Sequence, residues 1–313
     1  MAPEQGDPAH VGQVAREVRW AVEEALAGAE RDASRWEELR ERLDAVGSSA
    51  RGRAWREASV LLDLAFRQRP GRTHRQLGRI RQRRIAQGED FAPFWRECER
   101  ALAPCTLTPH GYDVALGQRD PGAVWATVER VTEQLGERGY PVLVTSGTLL
   151  GLVREGGVIA HDDDIDLAVV LPEDDTTDAA GAARQWRELR ARAALAGQLD
   201  LAFEERRASH CRAAADGGLK VDLFPAWPHA GRMFMWPHTY GELAAEDVLP
   251  PVSRRVAGHQ VWLPRHPEAV LEVNYGPGWR DPDPTFRFDW DRAHERFAGF
   301  VAHLGGRRSR EAS

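Results

Sequence analysis

The chain has 313 residues, 42% of them hydrophobic, enough for one large core or two ordinary ones without covalent staples. Charged residues make up 29% and the net charge is −6, which excludes a nucleic-acid coat protein or a cationic membrane peptide and confines any polyanion contact to a local patch. Cys98, Cys105 and Cys211 are odd in number and lack short paired spacing, so neither a disulfide framework nor structural zinc is expected.

Residues 1–10 are polar and lead into no apolar signal core, and no run reaches the roughly 18 apolar residues of a membrane span. A cytoplasmic protein without a transmembrane segment is the expectation. From Val11 to Leu102 the sequence reads as helices, at Val11–Ala29, Ser34–Val46, Arg53–Phe66 and Thr73–Gln87. Eleven arginines between Arg51 and Arg84 face only two acids, Glu57 and Asp63, which makes this the one basic patch. A solvated helix face is the preferred reading. The alternative is peripheral contact of 51–84 with a phosphate-bearing lipid at the inner membrane face, a polymer or an acidic partner; the lack of interleaved aromatics speaks against nucleic acid.

Pro, Gly and Thr accumulate from Pro104 to Pro121 and end the helical pattern. Beyond them come a helix at Pro121–Gly139, a strand at Val142–Thr145, a short helix at Thr148–Glu155, a strand at Ile165–Leu171 and a helix at Thr177–Ala196. Strands near Leu201–Arg206 and Ser209–Ala214, a turn at Asp216–Gly218 and a strand at Leu219–Phe224 follow. This order implies an α/β (α+β) layer with a small mixed sheet, preceded by an all-helical region. The expected division is 1–110 helical, 111–300 catalytic and 301–313 a flexible tail.

The chemistry concentrates between Ser146 and Asp166. Strand side chains alternate faces, so Asp164 and Asp166, with Asp162 beside them, point away from Ile165 and Leu167 and share one small volume. Like charges so close are tolerable mainly with a cation, and carboxylate oxygens without nearby His or Cys favour Mg²⁺ or Mn²⁺. Ser146-Gly147 stands between a strand and the helix opening at Thr148, where glycine permits close approach and free N–H groups suit a phosphate. Arg154 is a candidate phosphate clamp or an ordinary surface arginine. Asp222, between Val221 and Leu223, is a candidate metal ligand or base for an acceptor hydroxyl, or an exposed strand acid. His161 and Lys220, the only lysine, are candidates for phosphate contact, with a structural role as the alternative.

These residues resemble the LicD/fukutin family of phosphotransferases, which has the nucleotidyltransferase fold. The matching pieces are Ser146–Arg154, Gly157–Ile159, Asp162–Asp166, Val221–Pro225 and the tail Tyr275-Gly-Pro-Gly-Trp279 with Pro282 and Pro284, preceded by Leu263-Pro264 and a short helix, Pro267–Val273. Ala160 and His161 depart from it, standing where the family usually has proline and an aromatic residue. The resemblance implies transfer of a phospho-alcohol group, of phosphocholine or alditol-phosphate type, from a CDP-linked donor to a sugar hydroxyl of a cell-surface glycan or lipid-linked sugar. It also implies that Asp164 and Asp166 hold the metal, with Asp162 near it and Asp222 completing the site. Two rivals stand beside this reading: transfer of a nucleoside monophosphate from an NTP to a small molecule, and a non-catalytic binding or scaffold protein.

Overall fold

The computed structural model describes residues 8–28, 32–108, 111–173, 178–200, 208–283, 286 and 288–304. The chain forms two compact units, residues 1–115 with 283–286, and residues 116–282 with 287–313.

The first unit runs α1 (Pro8–Leu26), α2 (Ala33–Asp44), α3 (Arg53–Ala65), α4 (Pro70–Ala86), α5 (Ala92–Leu102) and a hairpin of β1 (Cys105–Thr108) and β2 (Gly111–Val114). Asp32 caps α2 by accepting from the Arg35 amide at 2.6 Å, and Pro70 opens α4 where its missing N–H costs nothing. α3 is the axis of this unit, with its run from Glu57 to Ala65 wholly buried among apolar residues of α1, α2, α4 and α5. Part of the arginine run is internal wiring: Arg51 donates to the carbonyls of Val46 and Asp44, and Arg67 to those of Ala101 and Ala103. The hairpin falls where Pro, Gly and Thr read only as a break.

The second unit runs α6 (Pro121–Gly136), β3 (Val142–Val144), α7 (Ser146–Arg154), β4 (Asp164–Val170), α8 (Ala179–Leu195), β5 (Leu199–Asp200), β6 (Cys211–Ala213), β7 (Lys220–His229), β8 (Arg232–Met235) and β9 (Thr239–Ala244). It closes with α9 (Ala245–Val248), a hairpin of β10 (Val252–Val256) and β11 (His259–Leu263), α10 (Pro267–Tyr275), α11 (Trp290–Arg296) and α12 (Ala298–His303). The mixed α/β class is as expected. The strand expected at Leu201–Arg206 and Pro284 of the tail lie outside the described residues, while α12 runs past 301, where a flexible tail was expected. The sheet order is β3-β4-β7-β6-β5, with β8 on β7 and β9 on β8; β4 and β7 are parallel and the other pairs antiparallel. Ile165, Leu167 and Val169 are fully buried on one face of β4, and Ala168 and Val170 are buried on the other. Two-sided burial suits a central strand. Only its first turn of side chains, Asp164 and Asp166, breaks the apolar pattern.

Among the described residues no helix is long and apolar enough to cross a membrane, and no disulfide joins the three cysteines.

His238, packed between Tyr275 and Phe288, is buried with no partner for Nδ1. Burial, against a hydrogen bond with the Asn274 backbone and with the Arg296 charge, pushes its imidazole from 6.5 down to about 3. The folded chain therefore binds fewer protons than the unfolded one between these values. Stability is intact above pH 6.5 and falls toward pH 3, by an amount on the order of a few kcal/mol from this group. Urea melts at pH 7.5 and 4.5 should show a smaller acid loss for His238→Gln than for the parent, and equal losses would assign the sensitivity to another group.

Candidate active site

The site grows from the β4–β7 pair. Their parallel register sets Asp166 opposite Asp222 and Asp164 opposite Lys220, so both carboxylates of the first pair lie on one face of the sheet. β6 then sets Arg212 opposite Asp222 on the other side. The Arg212 guanidinium forks onto Asp222, Nε to Oδ1 at 2.8 Å and an Nη to Oδ2 at 3.1 Å. Burial works against the Arg212 charge, but the fork on Asp222 and the nearby charges of Asp164 and Asp163 outweigh it and hold the guanidinium above its ordinary value.

α7 approaches the carboxylates end-on. Ser146, its first residue, is buried and adopts φ +46°, a left-handed conformation rare for serine. The next residue, Gly147, donates its amide to Asp166 Oδ2 at 3.0 Å. A side chain there would meet Asp162 Oδ2 at 2.8 Å and Asp166 Oδ2 at 3.4 Å, so the two carboxylate oxygens converge on the space that glycine leaves open. Thr148 is buried, and its hydroxyl accepts from the Asp166 amide at 2.8 Å, fixing the helix start to β4.

Asp162 arrives on the loop before β4. That loop is held on one side by hydrogen bonds from the Leu116 amide to the Asp162 carbonyl, 2.7 Å, and from the Gly117 amide to that of Ala160, 3.0 Å. On the other side Gly151 of α7 lies directly against the backbone of Gly157 and Ile159. His161 is half-buried in the same loop.

Charge divides these carboxylates into two groups. Asp163 pairs with Lys220 at 2.7 Å and Asp222 with Arg212. Among the described residues Asp162, Asp164 and Asp166 have no basic partner, and all three are half-buried. Burial is the largest cause raising all three: Asp162 goes up to about 7, against a hydrogen bond from the Asp163 amide and with repulsion from Asp163 and Glu155, while Asp164 and Asp166, repelled also by the neighbouring acids, go well above the carboxylate range.

Two overlapping sets of acids could therefore hold a cation. Asp162, Asp163 and Asp164 offer oxygens within 4.8 Å of one another, while Asp162 and Asp166 converge at Gly147. Because Lys220 already neutralises Asp163, the uncompensated charge lies on Asp162, Asp164 and Asp166, an all-oxygen set that fits a hard divalent cation such as Mg²⁺ or Mn²⁺.

The sequence-expected acids thus meet, but Asp222 is only 6% exposed and commits both oxygens to Arg212. Lys220 is engaged with Asp163. Arg154 sits at the far end of α7, paired with Glu155 at 2.7 Å and donating to the Trp279 carbonyl at 3.3 Å. Three residues near the cluster escaped the sequence reading: Asp163, Arg212 and Tyr275. Burial, then the negative field of Asp166 and Asp162, holds the Tyr275 phenol well above its usual range, against the charge of Arg154. Its position at the end of α10, which packs on α7, explains the proximity. The tail motif was the only signal for it.

A mixed sheet whose parallel strands β4 and β7 carry the acids, meeting a glycine at a helix start, is the frame of the site. Residues 139–266 match the family model described as LicD/FKTN/FKRP, nucleotidyltransferase domain. The match includes every carboxylate named above and stops short of Tyr275 and of the helical unit. The match supports a phosphotransferase or nucleotidyltransferase-like role in glycan modification. A search of curated proteins returns no match for the chain.

Proposed function

We propose that the chain is a metal-dependent phosphotransferase that moves a phospho-alcohol group, of phosphocholine or alditol-phosphate type, from a CDP-activated donor to a sugar hydroxyl of a cell-surface glycan or lipid-linked precursor. The observation that carries this reading is the convergence of Asp162 and Asp166, carboxylates without basic partners, on the space at Gly147, with an Asp164 oxygen within 4.8 Å of Asp162. Asp162, Asp164 and Asp166 would hold Mg²⁺ or Mn²⁺, which when bound offsets the charge of a diphosphate. A helix start suits phosphate oxygens, and that of α7 stands beside these carboxylates with its Gly147 amide given to Asp166; positioning dominates transfer of this kind.

In the proposed reaction the acceptor oxygen bonds to the phosphorus that carries the alcohol, the bond from that phosphorus to the bridging oxygen breaks, and CMP leaves with that oxygen. The hydroxyl proton passes to a site carboxylate; the base role considered for Asp222 requires one of its oxygens to leave Arg212. A cytoplasmic location, with the site facing activated nucleotides, goes with this reading.

Incubating the full chain with Mg²⁺, a sugar acceptor and either labelled CDP-alcohol or labelled ATP separates this reaction from nucleotidyl transfer. Release of CMP from the CDP-alcohol, with none of the ATP consumed, is expected. Pyrophosphate release from ATP alone would replace the reading with its nucleotidyltransferase rival.

A further inference from the structure

The helical unit carries a charged cluster that the transferase site does not use. Glu57 of α3 is buried and receives three guanidinium groups, from Arg19 at 2.9 Å, Arg53 at 2.9 Å and Arg84 at 2.7 Å. Arg53 also pairs with Glu89, and Arg84 donates to the Asp90 carbonyl at 2.9 Å. The acceptors in this neighbourhood are therefore already engaged.

Two further arginines stand beside them. Arg56 of α3 is half-buried and Arg83 of α4 is exposed, and among the described residues neither has a carboxylate or hydrogen-bond partner. Burial, and then the Arg83 charge, lowers the Arg56 guanidinium below its ordinary value. Arg84 is 8% exposed, and its Nε is buried with nothing to donate to. By contrast Arg40, Arg51 and Arg67 of the same unit all reach acceptors. Arg53, Arg56, Glu57, Ile80, Arg83 and Arg84 line one open cleft of about 60 Å³ between α3 and α4.

A pair of adjacent like charges in a partly desolvated cleft is unfavourable unless a counter-ion offsets it. With Glu57 and Glu89 answering Arg53 and Arg84, two unit charges stay uncompensated, on Arg56 and Arg83. A monocarboxylate would leave one of them. A phosphate monoester, with a charge of about −1.5 to −2 and three acceptor oxygens, matches both the charge and the forked donors.

We propose that the α3–α4 cleft is a binding site for a phosphate-class dianion, held by Arg56 and Arg83 with the Nε of Arg84 as a third donor. This gives the arginine run a specific ligand chemistry in place of a solvated face. It is independent of the transferase reading, because none of its residues belongs to the carboxylate site.

The test is calorimetric titration of inorganic phosphate into the full chain, in chloride buffer without divalent cations. Saturable binding is expected in the parent, weakened at least tenfold in Arg56→Gln/Arg83→Gln and unchanged in Asp164→Asn, with circular dichroism confirming that each variant is folded. Phosphatidylcholine vesicles with and without phosphatidic acid identify the source. Co-sedimentation only with phosphatidic acid, lost in the double variant, assigns a lipid headgroup, whereas phosphate binding without vesicle binding assigns a soluble phosphate compound. No saturable phosphate binding in the parent, or equal affinity in the double variant, would overturn the proposal.

Discussion

Asp164→Asn and Asp166→Asn should each lower turnover by on the order of a thousand-fold or more while leaving the far-ultraviolet circular dichroism of the parent intact and the melting temperature no lower. Asparagine keeps the size of each side chain, so the apolar residues beneath, Ile165 and Leu167, lose no contact. Either substitution also removes a repelling charge that burial makes costly, since both acids are held well above the carboxylate range. The folded state should be no less stable, and a melting temperature a few degrees higher is consistent with the account. Transfer rates within tenfold of the parent in either variant would be incompatible with a role for these acids in holding the cation.

Gly151→Ala should have the second largest effect, and through packing. A methyl group at this position of α7 would stand 2.7 Å from the Gly157 carbonyl oxygen and 2.8 Å from the Ile159 amide, both backbone atoms of the loop that delivers Asp162. Neither can rotate away, so the loop or the helix must shift. Overpacking of this kind costs about 1–3 kcal/mol, and a domain of this size loses roughly 2–4 °C in melting temperature per kcal/mol. Displacing the loop also moves the Asp162 carboxylate from Gly147, so divalent-cation affinity should fall with stability. Measuring both in one preparation checks the coupling, and an unshifted melting curve with parent affinity would show that the loop gives way freely.

The legible part of the site was the part encoded by alternation. In β4 the sequence Asp-Ile-Asp-Leu sets acids and apolar residues on opposite faces, and the same logic in β7 placed Asp222 on the face of Asp166. What alternation does not report is the neighbour across the strand. Arg212 sits in a strand of three residues in an arginine-rich chain, where nothing in its spacing marks it as the partner of Asp222. The α7 helix was legible as a short run, but its opening two residues earlier at Ser146 was not, because a left-handed serine leaves no compositional trace. Strands β8 to β11 were missed because they are only four to six residues long and none keeps an alternation of apolar and polar residues along its length. In the helical unit the periodicity located four helices to within a few residues, while α5 was covered only by the general helical reading. The arginine run showed its charge there but not the acceptors, since Glu57 binds Arg19 and Arg84 across long separations in sequence.

The central claim is that the unpaired carboxylates of the β4 loop and strand hold one divalent cation beside Gly147. Anomalous diffraction from crystals soaked with Mn²⁺ and CDP addresses it most directly. A single peak bounded by Asp162, Asp164 and Asp166, with diphosphate density reaching the start of α7, is the predicted result; a peak held elsewhere, or none at saturating Mn²⁺, would contradict it.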